Sequence, residues 1–178
     1  CADQDASIAL FGTRITIESG AHRDQLVHRG VDADRILPVP CHGLAAEIEK
    51  DAGSTEAWRL IEECASRAAA SAPCRGALLA GLCCTHYGYV AGRFRAALDH
   101  RFEGGVRILD PSDALAQRVV EQSPAGTSGR AHGTPTVKVI SKMALDTRTR
   151  AGIGRLVVSV SPATALALQS YTHVPELF

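Results

Sequence analysis

The residues best suited to chemistry follow an apolar run in the middle of the chain. Cys84, Thr85 and His86 follow Cys83 at the end of residues 76–82, whose apolar pattern is typical of a buried strand. Helix N-termini gather at the carboxyl end of such a strand, and their positive ends favour the thiolate form of a cysteine. His86 can share a proton with that thiol, and Thr85 offers a hydroxyl and a backbone N–H to an anion. Spacing alone leaves open the alternative that Cys84 is an inert core cysteine.

Strand and helix patterns alternate around this segment. Because the strand patterns are apolar throughout, they predict an α/β fold, a three-layer sandwich with a mostly parallel sheet. The predicted strands cover residues 7–11, 35–40, 76–82, 106–109 and 156–160. The predicted helices cover residues 20–29, 44–50, 56–70, 90–98, 112–121, 145–153 and 163–170, with Ser19 as the N-cap of the first.

The ends of the predicted strands indicate where a ligand binds. In parallel sheets, ligands bind at the carboxyl ends of the strands. Those ends carry Thr13, Cys41 and His42, the Cys84 segment, and Asp110. We therefore expect the site at this edge of the sheet.

Composition excludes several classes of protein. The 178 residues balance 19 Lys and Arg against 19 Asp and Glu, so there is no basic excess to neutralise the phosphates of a nucleic acid. The apolar runs are too short to span a bilayer, and no signal-peptide pattern occurs. The six cysteines form neither a secreted disulfide framework nor a zinc motif, so we expect reduced thiols in a cytoplasmic protein.

Two features concern the extent of the chain. Residues 123–135 are rich in Gly, Ser, Thr and Pro and predict a linker-like loop. The single methionine is Met143 and the sequence starts at Cys1, so we expect the chain to be part of a longer protein. Cys1 could instead be an N-terminal nucleophile with its own amine as base, although the residues after it do not support that.

Four segments resemble motifs of one enzyme family. The run Leu-Cys-Cys-Thr-His-Tyr at 82–87 resembles the Leu-Gly-Cys-Thr-His-Tyr signature of glutamate racemases, within the aspartate/glutamate racemase superfamily. Three further segments are similar to family motifs in the family's order: Gly12-Thr13 with Thr16, Ser19 and His22; Cys41-His42-Gly43-Leu44 through Glu49; and Ile108-Leu109-Asp110-Pro111-Ser112.

The resemblance implies a mechanism and a set of site residues. Glutamate racemases use two cysteines on opposite faces of the substrate and no cofactor or metal: one thiolate removes the Cα proton and the other thiol returns one. Cys84 would be one of these bases, assisted by His86 and Glu49. Thr85, and with it Thr13 and Thr16, would bind the substrate carboxylates. From the residues alone, Glu47 and Glu49 lie on the same short helix, and the resemblance favours Glu49 over Glu47.

The chain also departs from the family pattern. The second family cysteine lies in a Cys-Asn-Thr-Ala motif of an N-terminal half, and that string does not occur here; Gly88 stands where the family has proline. The resemblance therefore implies a cysteine-bearing lobe at 6–104 and a C-terminal segment at 105–178 that packs on an N-terminal lobe. Cys83 is interpreted as a core residue in place of the family's glycine.

Two functions stay open. The first is racemisation of an acidic amino acid, glutamate above all, which supplies D-glutamate for bacterial peptidoglycan. The second is one-sided carbanion chemistry, as in a decarboxylase or isomerase, or the binding of a small acid. In either case the expected partner is a small molecule rather than a nucleic acid or a membrane, and a homodimer stays open.

Overall fold

A computed structural model describes residues 6–73, 76–122 and 136–177. The predicted loop at 123–135, Cys1 and Cys74 lie outside these residues. The described part contains a four-stranded parallel sheet whose strand order is β2-β1-β3-β4. The four strands are β1 (Ser7–Gly12), β2 (Ile36–Pro40), β3 (Leu78–Leu82) and β4 (Val106–Leu109).

Helices connect the strands and follow the last of them. Five of them lie between β1 and β4: α1 (Arg14–Glu18), α2 (Ala21–His28), α3 (Leu44–Asp51), α4 (Thr55–Ser71) and α5 (Ala91–Asp99). Three follow β4: α6 (Pro111–Gln122), α7 (Thr147–Val157) and α8 (Pro162–Ala167). Short 3-10 turns lie at Ala33–Arg35, Tyr87–Val90 and Leu168–Ser170. Two-residue strands, β5 (Ile140–Ser141) and β6 (Thr172–His173), pair in parallel.

The prediction of an α/β fold with a parallel sheet is confirmed. β1 lies in the interior of the sheet, with Ala9 paired to Leu37 of β2 and Ala80 of β3. Consecutive residues of β1 from Ala9 to Phe11 are all buried, so both faces of this strand are covered. The covering is uneven, because Leu109 at the end of β4 is 38% exposed.

The main core lies on one face of the sheet. Alternate strand residues such as Phe11 pack in one cluster with the inner faces of α3, α4 and α5. The Phe11 and Phe94 rings lie 5.0 Å apart, and the Tyr87 and Phe94 rings 5.7 Å apart. Tyr87 directly follows the Cys-Thr-His segment, so this core anchors the segment from below.

Several predicted boundaries were wrong. Ser19 is the C-cap of α1 rather than an N-cap, since the chain forms a five-residue helix there and restarts at Gly20 in the left-handed conformation. The strand predicted at 156–160 does not form: α7 continues to Val157, and the Val158 N–H bonds to the carbonyl of Gly154. An apolar run of this length cannot by itself distinguish a strand from the end of a helix.

The predicted division at 104/105 falls between two strands of one sheet. β4 pairs with β3 through Leu78 and Val106, so the start of the predicted second segment belongs to the same sheet as the first. Packing of residues 105–178 on another lobe stays a prediction. Within this chain, α7 packs against α3: a Cβ on Gly152 would lie 2.4 Å from the carbonyl oxygens of Glu49 and Lys50.

Two glycines of α7 provide a test of this packing. We expect Gly152→Ala to lower the free energy of unfolding by about 1–3 kcal/mol, because the added methyl forces α7 away from the backbone of α3. Gly154 has open space around its Cβ position, so Gly154→Ala should raise stability by up to about 1 kcal/mol through helix propensity. Urea unfolding measures both, and equal effects of the two substitutions would contradict the packing.

Candidate active site

Two hydrogen bonds to the end of β1 hold the chain segments that carry the site residues. The Cys83 N–H donates to the Phe11 carbonyl at 2.7 Å, and the Cys41 N–H donates to the Gly12 carbonyl at 2.7 Å. These bonds extend the parallel ladders by one residue beyond β3 and β2. The chain segments that follow β2 and β3 therefore leave the sheet side by side with the end of β1 between them.

Cys84, His86 and Glu49 form one hydrogen-bonded chain. The Cys84 Sγ lies 3.5 Å from His86 Nδ1, and His86 Nε2 lies 2.7 Å from Glu49 Oε1. Cys84 and His86 are partly buried, and the carboxylate side chain of Glu49 is 45% exposed. Residues 37 positions apart in sequence thus meet at the edge where the predicted ligand site lies.

Local structure explains why Glu49 reaches His86. α3 begins after Gly43, which has a φ of 76°, and it buries Leu44 and Ile48 against the core. Glu49 follows Ile48 on the helix, at the border between the buried face and solvent. Its neighbour Glu47 is occupied elsewhere, because it accepts a hydrogen bond of 2.8 Å from the Ser54 hydroxyl at the start of α4.

This arrangement suits proton transfer through a thiol. With Nε2–H donating to Glu49, the Nδ1 lone pair of His86 faces Cys84 and can accept the thiol proton. Glu49 then stabilises the imidazolium that forms and holds the ring in this orientation. The resulting thiolate can act as a base or as a nucleophile.

Tyr87 has a role that the sequence analysis did not assign. It is fully buried, and its hydroxyl donates to the Cys41 carbonyl at 3.2 Å, which links the segment after β3 to the segment after β2. Burial raises the pKa of this phenol, so it remains a donor. The aromatic residue directly after the Cys-Thr-His run is the sequence signal that could have indicated that Tyr87 anchors this segment in the core.

The three threonines predicted to bind carboxylates are placed differently. Thr85 is exposed next to Cys84. The Thr13 and Thr16 hydroxyls lie 2.9 Å apart, and the Thr13 oxygen accepts from the Thr16 N–H as the N-cap of α1. Thr13 is thus engaged in capping at the end of β1, and neither it nor Thr16 bonds to the Cys84 chain in the described residues.

The remaining candidates divide between core and surface. Cys41 and Cys64 are buried in the main core, as expected for small packed thiols. The residues His22, His28, His42, His100 and His173 are exposed, whereas His132 lies outside the described residues. Gly88 lies against the Asp110 side chain, and a Cβ there would come 2.2 Å from its Oδ2. The aspartate at the end of β4 therefore occupies the space that the family's proline would need.

Comparisons with known proteins do not identify a family. No family model matches the chain, and no match was found among curated proteins or solved structures. In the described part of the chain, no group of three or more His, Cys, Asp or Glu side chains could hold a metal ion. No helix within the described ranges is long and apolar enough to cross a membrane.

The adjacent cysteines should differ in reactivity. Burial, with a smaller contribution from Cys84, raises the pKa of Cys83 to about 11, so roughly one Cys83 thiol in a thousand is ionised at pH 8. We expect iodoacetamide to modify the Cys84→Ser variant at Cys83 very slowly at pH 8, with a rate that rises about tenfold per pH unit towards pH 11. Cys83→Ser is the matched control and should be alkylated faster at Cys84. Fast alkylation of Cys83 at pH 8 would contradict this assignment.

Proposed function

We propose that Cys84, His86 and Glu49 form one acid–base group of a cofactor-independent amino-acid racemase, with glutamate as the first substrate to test. The observation that carries the proposal is the continuous contact from Cys84 Sγ through the His86 ring to Glu49 Oε1. The resemblance of segments 12–22, 41–49, 82–87 and 108–112 to glutamate racemase motifs supplies the reaction class.

The geometry supports the thiol as the group that moves the proton. Cys84 is partly exposed at the strand end, so a substrate Cα can approach its sulfur. His86 takes the thiol proton and Glu49 stabilises the charge, which prepares a thiolate to remove the Cα proton. Exposed Thr85 offers a hydroxyl and a backbone N–H next to this sulfur for a carboxylate whose charge grows as the carbanion forms.

Racemisation needs a second acid–base group on the opposite face of the substrate. The other described cysteines are engaged elsewhere: Cys83 Sγ points to the Gly81 carbonyl at 3.7 Å, and Cys41 and Cys64 lie in the core. Cys1 and Cys74 lie outside the described residues and neither stands in a Cys-Asn-Thr-Ala motif, so we propose that the second thiol comes from a further polypeptide segment. In a bacterium the product D-glutamate would enter peptidoglycan synthesis in the cytoplasm.

A second function follows from the presence of a single such hydrogen-bonded chain in the described residues. A lone thiol at one face can protonate or deprotonate a carbanion without inverting the carbon, as a decarboxylase or isomerase does. The same site without chemistry would bind a small acid. The stereochemistry of isotope exchange separates these alternatives.

The chain of 178 residues should not interconvert L- and D-glutamate, because its described residues place one base rather than two at the site. Chiral chromatography after incubation with either enantiomer measures this. Formation of the opposite enantiomer that is catalysed by this chain and lost in Cys84→Ser would contradict the prediction.

A protein in which this chain is joined to the proposed further segment should invert glutamate in D₂O and incorporate deuterium at Cα. We expect Cys84→Ser to lower the rate by at least about 100-fold, since it removes an acid–base group, while Cys83→Ser retains most of the activity. Proton NMR and chiral chromatography follow exchange and inversion separately. Exchange without inversion would favour the one-sided function, and the absence of both would reject the racemase proposal.

A further inference from the structure

A second pair of thiols lies apart from Cys84, where the end of β2 meets α4. Cys41 directly follows β2 and Cys64 lies in the middle of α4, and each residue is only 2% exposed. Both belong to the main core. Neither thiol takes part in the proposed proton transfer.

An arginine connects the two cysteines. The Arg67 Nη2 donates to Cys64 Sγ at 3.2 Å and to the Pro40 carbonyl, which precedes Cys41, at 2.6 Å. One guanidinium group thus holds the sulfur of α4 against the chain that carries Cys41. A positive charge at this distance favours the thiolate form of Cys64.

The pKa values of the two thiols are shifted in opposite directions. A hydrogen bond with Cys64, together with burial, raises the pKa of Cys41 far above its usual range. The same hydrogen bond, and then the charge of Arg67, lowers the pKa of Cys64. The Cys41 thiol donates to the Val39 carbonyl at 3.5 Å, and the opposite pKa shifts place the negative charge on Cys64 when one of the two thiols ionises.

Cys64 is among the residues that line a surface cleft. The cleft has a volume of about 580 Å³, and its charged or titratable lining residues besides Cys64 are Arg14, Glu18, His42, Arg59, Glu63 and Arg67. A small neutral oxidant can enter a cleft of this size, whereas the 2% exposure of Cys64 excludes bulky reagents. The site thus combines a thiol of lowered pKa, a second thiol beside it, and a cleft that opens to solvent.

We propose that Cys64 and Cys41 form an oxidisable dithiol that closes to a disulfide with a peroxide as oxidant. In the first step, the Cys64 thiolate attacks one oxygen of hydrogen peroxide and the O–O bond breaks. With one proton taken up from solvent, the products are a sulfenic acid on Cys64 and one water. In the second step, the Cys41 sulfur attacks the Cys64 sulfur, and the sulfenic hydroxyl leaves with the Cys41 proton as a second water. Two thiols are oxidised, and one peroxide is reduced to two waters.

The proposal has a direct test in the folded wild-type chain. After limiting hydrogen peroxide and blocking of free thiols, trypsin should release the peptides 36–50 and 60–67 joined through Cys41 and Cys64 and 2 Da lighter than their sum. This product should form faster in the folded chain than in urea. Equal rates in urea, or free Cys41 and Cys64 while Cys83 or Cys84 is oxidised, would overturn the proposal.

Single variants test which cysteine reacts first. In Cys41→Ser, dimedone should label Cys64 as its sulfenic acid, and in Cys64→Ser it should leave Cys41 unlabelled. An unlabelled Cys64, or a labelled Cys41, would overturn the assignment. The wild-type experiment stands even where a variant does not fold.

The role of Arg67 has its own matched control. In a variant whose only cysteines are Cys41 and Cys64, the rate at which the intact mass falls by 2 Da measures disulfide formation. Arg67→Gln should slow this rate several-fold because it removes the charge next to Cys64. Arg59→Gln should leave it unchanged, since Arg59 lines the same cleft but pairs with Glu56 and Glu63. Equal rates in the two variants would exclude Arg67 as the group that activates the thiol.

Discussion

The last two carbonyl groups of β1 position the chain segments that carry the candidate site. The Phe11 carbonyl accepts from Cys83 and the Gly12 carbonyl accepts from Cys41, each at 2.7 Å. Because β1 lies between β2 and β3, these two bonds place the segments after both neighbours at one edge of the sheet. A strand pair that slipped by one residue would turn the side chains after it to the opposite face.

The core beneath this edge makes the arrangement rigid. Tyr87 and Phe11 both lie close to the ring of Phe94, and the Tyr87 hydroxyl bonds to the Cys41 carbonyl. The hydrogen-bonded phenol of Tyr87 keeps one orientation in this apolar core, because any other orientation would leave its buried hydroxyl without a partner. His86 directly precedes this anchor, so its ring is held where both Glu49 and Cys84 reach it.

The four described cysteines show how the surroundings divide one residue type among different tasks. Cys84 has a histidine and access to solvent, whereas Cys83 next to it has only a backbone carbonyl and a pKa raised by burial. Cys41 and Cys64 are buried in the core, and an arginine donates to the Cys64 sulfur. The identity of a cysteine therefore says little about its reactivity, which depends on the groups that its position brings near.

Sequence patterns determined the α/β class and the four strands of the main sheet to within two residues at each end, and the family resemblance suggested Cys84, His86 and Glu49 as one group. Apolar runs and helical periodicity are local, so they can be read without knowing the partners. They did not place the end of α7, where a short apolar run fits a helix as well as a strand. Only the tertiary structure decided that Glu49 lies within hydrogen-bond distance of His86, and that Arg67 links the Cys64 sulfur to the Pro40 carbonyl. Each of these outcomes depends on contacts between residues far apart in the chain, which arise from the parallel strand pairing and the packing of the helices on it.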